Sequence, residues 1–235
     1  KSLYKGLINV SETRVPWGIL TGVRPIKNVH NLLDEKIEEK KIVEILLNQY
    51  KISNDKANLI LNICKKQRKY LYPLDENRFS LYISIPFCPS RCLYCSFPSL
   101  NINKYYEYVD EYTDKLIYEI NSIKDIMKGK SISTVYIGGG TPTAIPRENL
   151  EKIILSIYDN FSKESIEEIT VEAGRPDTIN REVLNMLNRN KINRISINPQ
   201  TMNDKTLKLI GRKHSSADII ESYYGEVIAQ SINKD

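Results

Sequence analysis

Leu81-Tyr-Ile-Ser-Ile-Pro-Phe-Cys88-Pro-Ser-Arg-Cys92-Leu-Tyr-Cys95 is the stretch on which the reading of this chain turns. Leu81 to Pro86 is rich in apolar and β-branched residues and predicts a strand. Directly after it, three of the chain's four cysteines fall within eight residues at the spacing CxxxCxxC. A loop of that length can wrap three thiolates round one inorganic centre. Four cysteines in 235 residues are too few for a disulfide scaffold, so the cluster reads as metal binding. Two centres compete. Structural zinc wants four ligands, and His30 and His214 are remote in sequence; a [4Fe-4S] cubane accepts three thiolates and keeps one iron free of protein. The count and spacing favour the cubane.

Working outward, the pattern alternates strand and helix. Lys104 to Met127 has apolar or aromatic residues at 105, 108, 109, 112, 116, 120, 123 and 127, one face of a long helix. Ser133 to Ile137 reads as a strand, then Leu150, Ile153, Ile154, Ile157 and Phe161 as a helix face. Glu168–Glu172 and Ile192–Asn198 are two more strands, followed by helical segments around Val183-Leu184-Leu187 and Leu207–Ile210. Four β/α units in series predict an α/β fold with a parallel sheet and right-handed crossovers. Functional residues in such folds gather at the carboxyl ends of the strands. The cysteines, Gly138-Gly139-Gly140, Glu172 and Gln200 each follow or end one of these strands, which predicts a common rim.

The first eighty residues are helical in pattern. Ile26, Val29, Leu32, Leu33 and Ile37 form one series and Ile42, Ile45, Leu46 and Tyr50 a second, and Ser53 or Asn54 caps a third helix. Leu71–Asn77, with Pro73, reads as a linker. The expected division is 1–77 helical, 78–223 the β/α core, and 224–235 a divergent tail. Cys64, on the apolar face with Ala57, Ile60 and Leu61, reads as a buried core thiol. Lys65-Lys66-Gln67-Arg68-Lys69 ends a helical pattern, where cations suit the macrodipole.

Hydrophobic residues make up 41% and charged residues 27%, an ordinary balance for a folded soluble protein. Apolar runs are interrupted well short of the ~18 residues of a membrane span, which predicts a soluble, cytoplasmic protein. The net charge of +5 is spread along the chain and suits an anionic small molecule without calling for nucleic acid. The earliest methionine is Met127, so the chain is expected to be a piece of a longer protein or a processed form.

Four blocks in this order carry a resemblance: Tyr82-Ile-Ser-Ile-Pro-Phe-Cys88 through Cys92-Leu-Tyr94-Cys95-Ser-Phe97; Gly138-Gly-Gly-Thr141-Pro-Thr143; Val171-Glu172-Ala-Gly-Arg-Pro-Asp-Thr-Ile179; and Arg194-Ile-Ser-Ile-Asn-Pro-Gln200-Thr. Together they resemble the radical S-adenosylmethionine (SAM) family of oxygen-independent coproporphyrinogen III oxidases and dehydrogenases. Pro16-Trp-Gly-Ile-Leu-Thr-Gly-Val-Arg-Pro25 is similar to its HemZ-like branch. The likeness runs from about residue 2 to about 223.

The resemblance implies a partial radical SAM (β/α) barrel, with Cys88, Cys92 and Cys95 as ligands of a [4Fe-4S] cluster. It implies SAM as second cofactor, chelating the free iron, with Tyr82, Tyr94, Gly139, Gly140, Thr141, Glu172, Gln200 and Arg212 around it. By the residues alone, the glycine run could equally be a tight turn, Glu172, Gln200 and Arg212 surface polar groups, and the two tyrosines core packing. No catalytic acid or base is assigned. The implied chemistry is reductive cleavage of SAM to methionine and a 5′-deoxyadenosyl radical. The radical removes hydrogen from a coproporphyrinogen III propionate, which loses carbon dioxide and an electron to become a vinyl group. The porphyrinogen and an electron donor are the implied partners. Some relatives have a further cysteine where this chain has Phe97, and after Tyr223 the likeness stops, short of two further β/α units. A haem carrier on the same fold, or an inactive fragment, are the alternatives.

Overall fold

The computed structural model describes residues 2–11, 15–20, 24–72 and 74–231, with side chains omitted at Ser2, Lys5 and 226–231. Thr21, Gly22 and Val23 of the Pro16–Pro25 block, Pro73 of the expected linker and residues 232–235 of the expected tail lie outside the described residues. The chain forms two compact units, Lys1–Asp75 and Glu76–Asp235.

The first unit holds α1 (Ser2–Ser11), α2 (Ile26–Asp34), α3 (Glu39–Asn48) and α4 (Asn54–Leu71). Apolar positions three and four apart on α2 to α4 put Val29, Ile42, Leu46, Ala57, Ile60, Leu61 and Cys64 into one buried cluster. Ser53 caps α4, its hydroxyl accepting from the Lys56 amide at 3.4 Å. Cys64 is fully buried, and burial pushes its thiol pKa up. The basic run at the end of α4 is a solvated face: Lys65 pairs with Glu39 at 2.8 Å, and Arg68 pairs with Asp34 at 2.8 Å beneath the Tyr72 ring.

The second unit is β1 (Arg78–Ile85), β2 (Phe87–Cys88), β3 (Leu100–Asn101), α5 (Ile102–Tyr105), α6 (Val109–Ile126), β4 (Ser131–Gly139), α7 (Arg147–Asn160), β5 (Glu168–Glu172), α8 (Arg181–Arg189), β6 (Arg194–Ser196), α9 (Asp204–Leu209) and α10 (Ser216–Ser231). The four main strands lie in the order β1-β4-β5-β6, every pair parallel. The register aligns Ile85 with Gly139 and Glu172 with Ser196, so the strands finish along one edge.

One sheet face is apolar. Leu81, Ile83, Ile85, Val135, Ile137, Ile169 and Val171 pack with Ile120, Leu150, Ile153, Ile154, Ile157 and Met186 of α6, α7 and α8. Period-2 alternation along β1 puts Ser80, Tyr82 and Ser84 on the other, exposed face. Helices on one face and polar residues on the other suit part of a (β/α) barrel, whose helices lie outside its strands. Between α6 and α7, buried Asn149 donates to Asp110 at 2.7 Å and to Thr113 at 3.1 Å, fixing their register with directional bonds.

Four boundaries differ from the sequence reading. The long helix expected from Lys104 is broken by a 3₁₀ turn at Tyr106–Tyr108, so that α5 and α6 are separate. β1 begins at Arg78, three residues earlier than expected. β6 keeps only three residues of the expected seven, because it pairs with β5 alone. α10 runs on through Tyr224 and Gly225 into the segment read as a tail.

Ile153 is fully buried and Ile126 is 77% exposed. Ile153→Ala should therefore cost about 2–5 kcal/mol in urea denaturation, against less than about 0.5 kcal/mol for Ile126→Ala.

Candidate functional site

The carboxyl edge of the sheet is closed over by the cysteine loop, and two backbone bonds hold it there. The Gly140 amide donates to the Ile85 carbonyl at 2.7 Å and the Thr141 amide to the Phe87 carbonyl at 2.8 Å. These bonds require β4's end to run hard against the loop. A Cβ on Gly140 would lie 2.7 Å from the Phe87 carbonyl oxygen and 3.0 Å from Cys88 Sγ. Gly139 sits at φ +102°, where side chains are strained. The glycines are thus needed first for protein against protein, a reason the sequence reading, which looked to a ligand, did not see.

The loop itself is fastened at both flanks. Cys88 Sγ and Thr141 Oγ1 are 3.3 Å apart, the Leu93 amide donates to Ile210, the Cys95 amide to Cys92, and Ser90 Oγ to the Gly211 carbonyl. Cys88 and Cys92 are buried, Cys95 is half-buried, and all three are free thiols. They line one cavity of about 210 Å³. That is below the ~300–1,000 Å³ usual for small-molecule sites.

Every residue predicted for the site lines this same cavity: Cys88, Cys92, Cys95, Tyr82, Tyr94, Gly139, Gly140, Thr141, Glu172, Gln200 and Arg212. Tyr82 and Tyr94 are 56% and 53% exposed, which sets aside core packing for both. Tyr82 stacks on Tyr136, ring centroids 5.8 Å apart, and the Tyr136 hydroxyl donates to Glu172 at 2.5 Å. Burial, and then this bond to Glu172, push the Tyr136 pKa up to about 12, so Tyr136 keeps the proton it donates. Arg212 donates to the Gly174 carbonyl at 3.1 Å and to the Tyr94 hydroxyl at 3.0 Å, while its Nε is buried without a partner. Gln200 holds φ +64°, a costly backbone for a non-glycine residue and one that clusters at ligand sites.

Phe97 also lines the cavity. The sequence reading missed Ser90, Ser99, Gly174, Arg175 and Asn198 in the lining, and Tyr136, which reaches the site through Glu172. Arg175 and Asn198 lie within three residues of a strand's carboxyl end, so the rim rule was the available signal for both. Neither histidine lines the cavity. His30 is in the helical unit beside Gln67, and among the described residues no three His, Cys, Asp or Glu gather closely enough for a single metal ion.

Residues 82–223 match the Radical SAM superfamily. The chain belongs to that superfamily. The oxygen-independent coproporphyrinogen-III oxidase-like protein HemZ of Bacillus subtilis is 40% identical over 213 residues, 88% of this chain and 42% of that protein. The heme chaperone HemW of Lactococcus lactis is 36% identical over 61% of this chain and 36% of its own length. Among solved structures, Escherichia coli coproporphyrinogen III oxidase HemN, described as a radical SAM enzyme, superposes with a TM-score of 0.59 at 27% identity. It covers 71% of this chain and 37% of HemN. The chain spans less than half the length of these relatives.

Two residues beyond Arg212, the His214 side chain is fully buried with neither ring nitrogen hydrogen-bonded, 3.6 Å from Asp177. Burial, then the Arg212 charge, hold its pKa below the ordinary histidine value against the pull of Asp177. The folded state thus prefers neutral imidazole, whereas the unfolded chain takes up a proton as pH falls through about 6.5. Stability should drop below that pH and go on dropping to the lower folded pKa. His214→Phe should flatten this part of the profile, measured as urea midpoints of apoprotein between about pH 7.5 and 5.5.

Proposed function

We propose that this chain is the cofactor-binding part of a radical SAM enzyme of haem biosynthesis, whose whole protein converts coproporphyrinogen III to protoporphyrinogen IX. In this reading Cys88, Cys92 and Cys95 hold a [4Fe-4S] cluster, and Tyr82, Tyr94, Gly139, Gly140, Thr141, Glu172, Gln200 and Arg212 receive SAM. The observation that carries it is the convergence of all eleven residues on one cavity at the carboxyl edge of a parallel sheet. The residues fit such cofactors: three free thiols, a glycine turn with no room for a Cβ, and a buried Arg212 Nε still lacking an acceptor.

When bound, the cluster and SAM supply one-electron reduction and a hydrogen-abstracting group, the chemistry needed to decarboxylate a propionate oxidatively to a vinyl. The protein's part is placement. Tyr136 holds one Glu172 oxygen while the other lies over Gly138. That orients a carboxylate toward a cationic or hydroxyl group of the ligand. Arg212, already fixed by Gly174 and Tyr94, keeps its Nε–H for an anionic group. Thr141 steadies the Cys88 sulfur. Tyr82, braced on Tyr136, presents an open ring face that a flat ligand can cover.

Replacing any of Cys88, Cys92 or Cys95 with Ala should abolish the visible absorption and the iron and sulfide content of anaerobically reconstituted protein, and Cys64→Ala should preserve them. Stoichiometric zinc in the wild type would overturn the cluster assignment.

The HemW relatives support a second reading, a haem carrier on the same fold. The full-length parent decides between the two under anaerobic conditions with a strong reductant. The enzyme reading expects both 5′-deoxyadenosine and vinyl porphyrins. Deoxyadenosine without decarboxylation removes the substrate assignment, and tight haem binding without decarboxylation selects the carrier. The 235-residue chain alone should show little turnover, since a sheet of four strands with β6 as its edge leaves one side of the cofactor open to water.

A further inference from the structure

The geometry points to Arg175 as the residue that sets the reduction potential of the cluster, acting as a positioning residue through the Cys92 sulfur. This rests on the cluster reading above. Arg175 lies three residues past the end of β5 and is only 3% exposed, unusual burial for a guanidinium. Its guanidinium donates only into the cysteine loop among the described residues: to Ser90 Oγ at 3.0 Å, to the Ser90 carbonyl at 2.5 Å, and to Cys92 Sγ at 3.2 Å. Among the described residues no Asp or Glu forms an ion pair with it.

A buried cation without a carboxylate is expensive unless something else carries the compensating charge. A neutral thiol and a serine supply hydrogen-bond acceptors but no charge. A Cys92 thiolate bound to an iron–sulfur cluster supplies it. The arrangement is one-sided, since Cys88 faces only the Thr141 hydroxyl. Arg175 therefore brings a charged donor to a single ligand sulfur. Hydrogen bonds to ligand sulfur and the local net charge both set cluster potentials. Reduction adds an electron to the cluster, and a cation donating to its sulfur favours that state, so Arg175 raises the potential. The same guanidinium clasps Ser90, which in turn holds Gly211, so it also fixes the loop that presents Cys92.

The two roles separate in an electron-paramagnetic-resonance redox titration of the reconstituted 235-residue protein, without SAM and hence without turnover. Arg175→Met removes charge and donors. At the wild-type midpoint its ratio of reduced to oxidised cluster should be about tenfold lower, equivalent to a potential about 59 mV more negative for a one-electron couple. Arg175→Gln should shift in the same direction. Arg175→Lys, which keeps the charge and loses the fork, should fall between wild type and Met. Ser90→Ala, which touches only the clasp, should leave the potential unchanged.

A wild-type potential in whichever neutral variant retains cluster overturns the proposal. If both neutral variants lose the cluster, Arg175→Lys carries the measurement, and a wild-type potential there overturns it. Cluster loss from all the Arg175 variants and equally from Ser90→Ala would reduce Arg175 to a loop clasp and overturn it too. A wild type that takes up no iron and sulfide overturns the cluster reading beneath it, an outcome distinct from an unchanged potential.

Discussion

The two backbone hydrogen bonds from Gly140 and Thr141 to Ile85 and Phe87 are the contact on which the remainder of the site depends. They are made where strand pairing between β1 and β4 has just ended, so they extend the sheet's register into the loop. That register is set by the apolar face, since a one-residue slip would turn Leu81, Ile83 and Ile85 toward water. Burial of seven strand side chains under α6 to α8 thus determines where Cys88 sits. The chain of cause runs from alternation in the sequence, through helix packing, to a sulfur position. A side chain on Gly140 would break it at its narrowest point.

Beyond that contact, the loop is stabilised from the far end of the sheet. Ser90 and Leu93 bond to Gly211 and Ile210, and Arg175 bridges from the end of β5. Residues more than eighty positions apart meet within a few ångströms because the parallel strands all finish on one edge. Loops are the natural place for functional groups, but only when a rigid scaffold positions them. Here the scaffold is four strands, and each contributes a loop or terminal residue to the same cavity.

Much of this was legible in the sequence, for a physical reason. Period-2 and period-3.6 patterns report which face is buried, and the buried faces of the strands and of α2 to α8 are apolar. The rim then follows from the rule that parallel sheets carry their functional loops at one end. What escaped was of two kinds. β2 and β3 are two residues long, too short for a pattern to stand out, and α1 precedes the first clear periodic series. The break at Tyr106–Tyr108 was hidden because tyrosines keep the apolar spacing across a turn that changes the backbone. Arg175 and Tyr136 escaped for another reason. An arginine after a strand normally belongs in solvent, and a tyrosine within one normally packs in the core, so only the fold could show them facing a loop sulfur and a carboxylate.

The distribution of charge across the cavity follows from the same architecture. Glu172 ends β5 and is held from the polar face of the sheet by Tyr136, while Arg212 and Arg175 approach from the loop side. Arg175 is fully engaged by the loop; Arg212 keeps a buried Nε with nothing to donate to. Acidic and basic groups on separate walls, with an open aromatic ring at Tyr82 between sheet and solvent, give complementary sites for a ligand with both charges and a flat ring system. A uniformly charged pocket would hold one end of such a ligand and repel the other. Here each charge has its own anchor: Glu172 is held by Tyr136, and Arg212 by the Gly174 carbonyl and Tyr94. In the proposed SAM-binding reading the polar sheet face is part of the binding surface as well as the back of a layer, which accounts for its serines, tyrosines and carboxylate where a buried parallel sheet would carry aliphatic side chains.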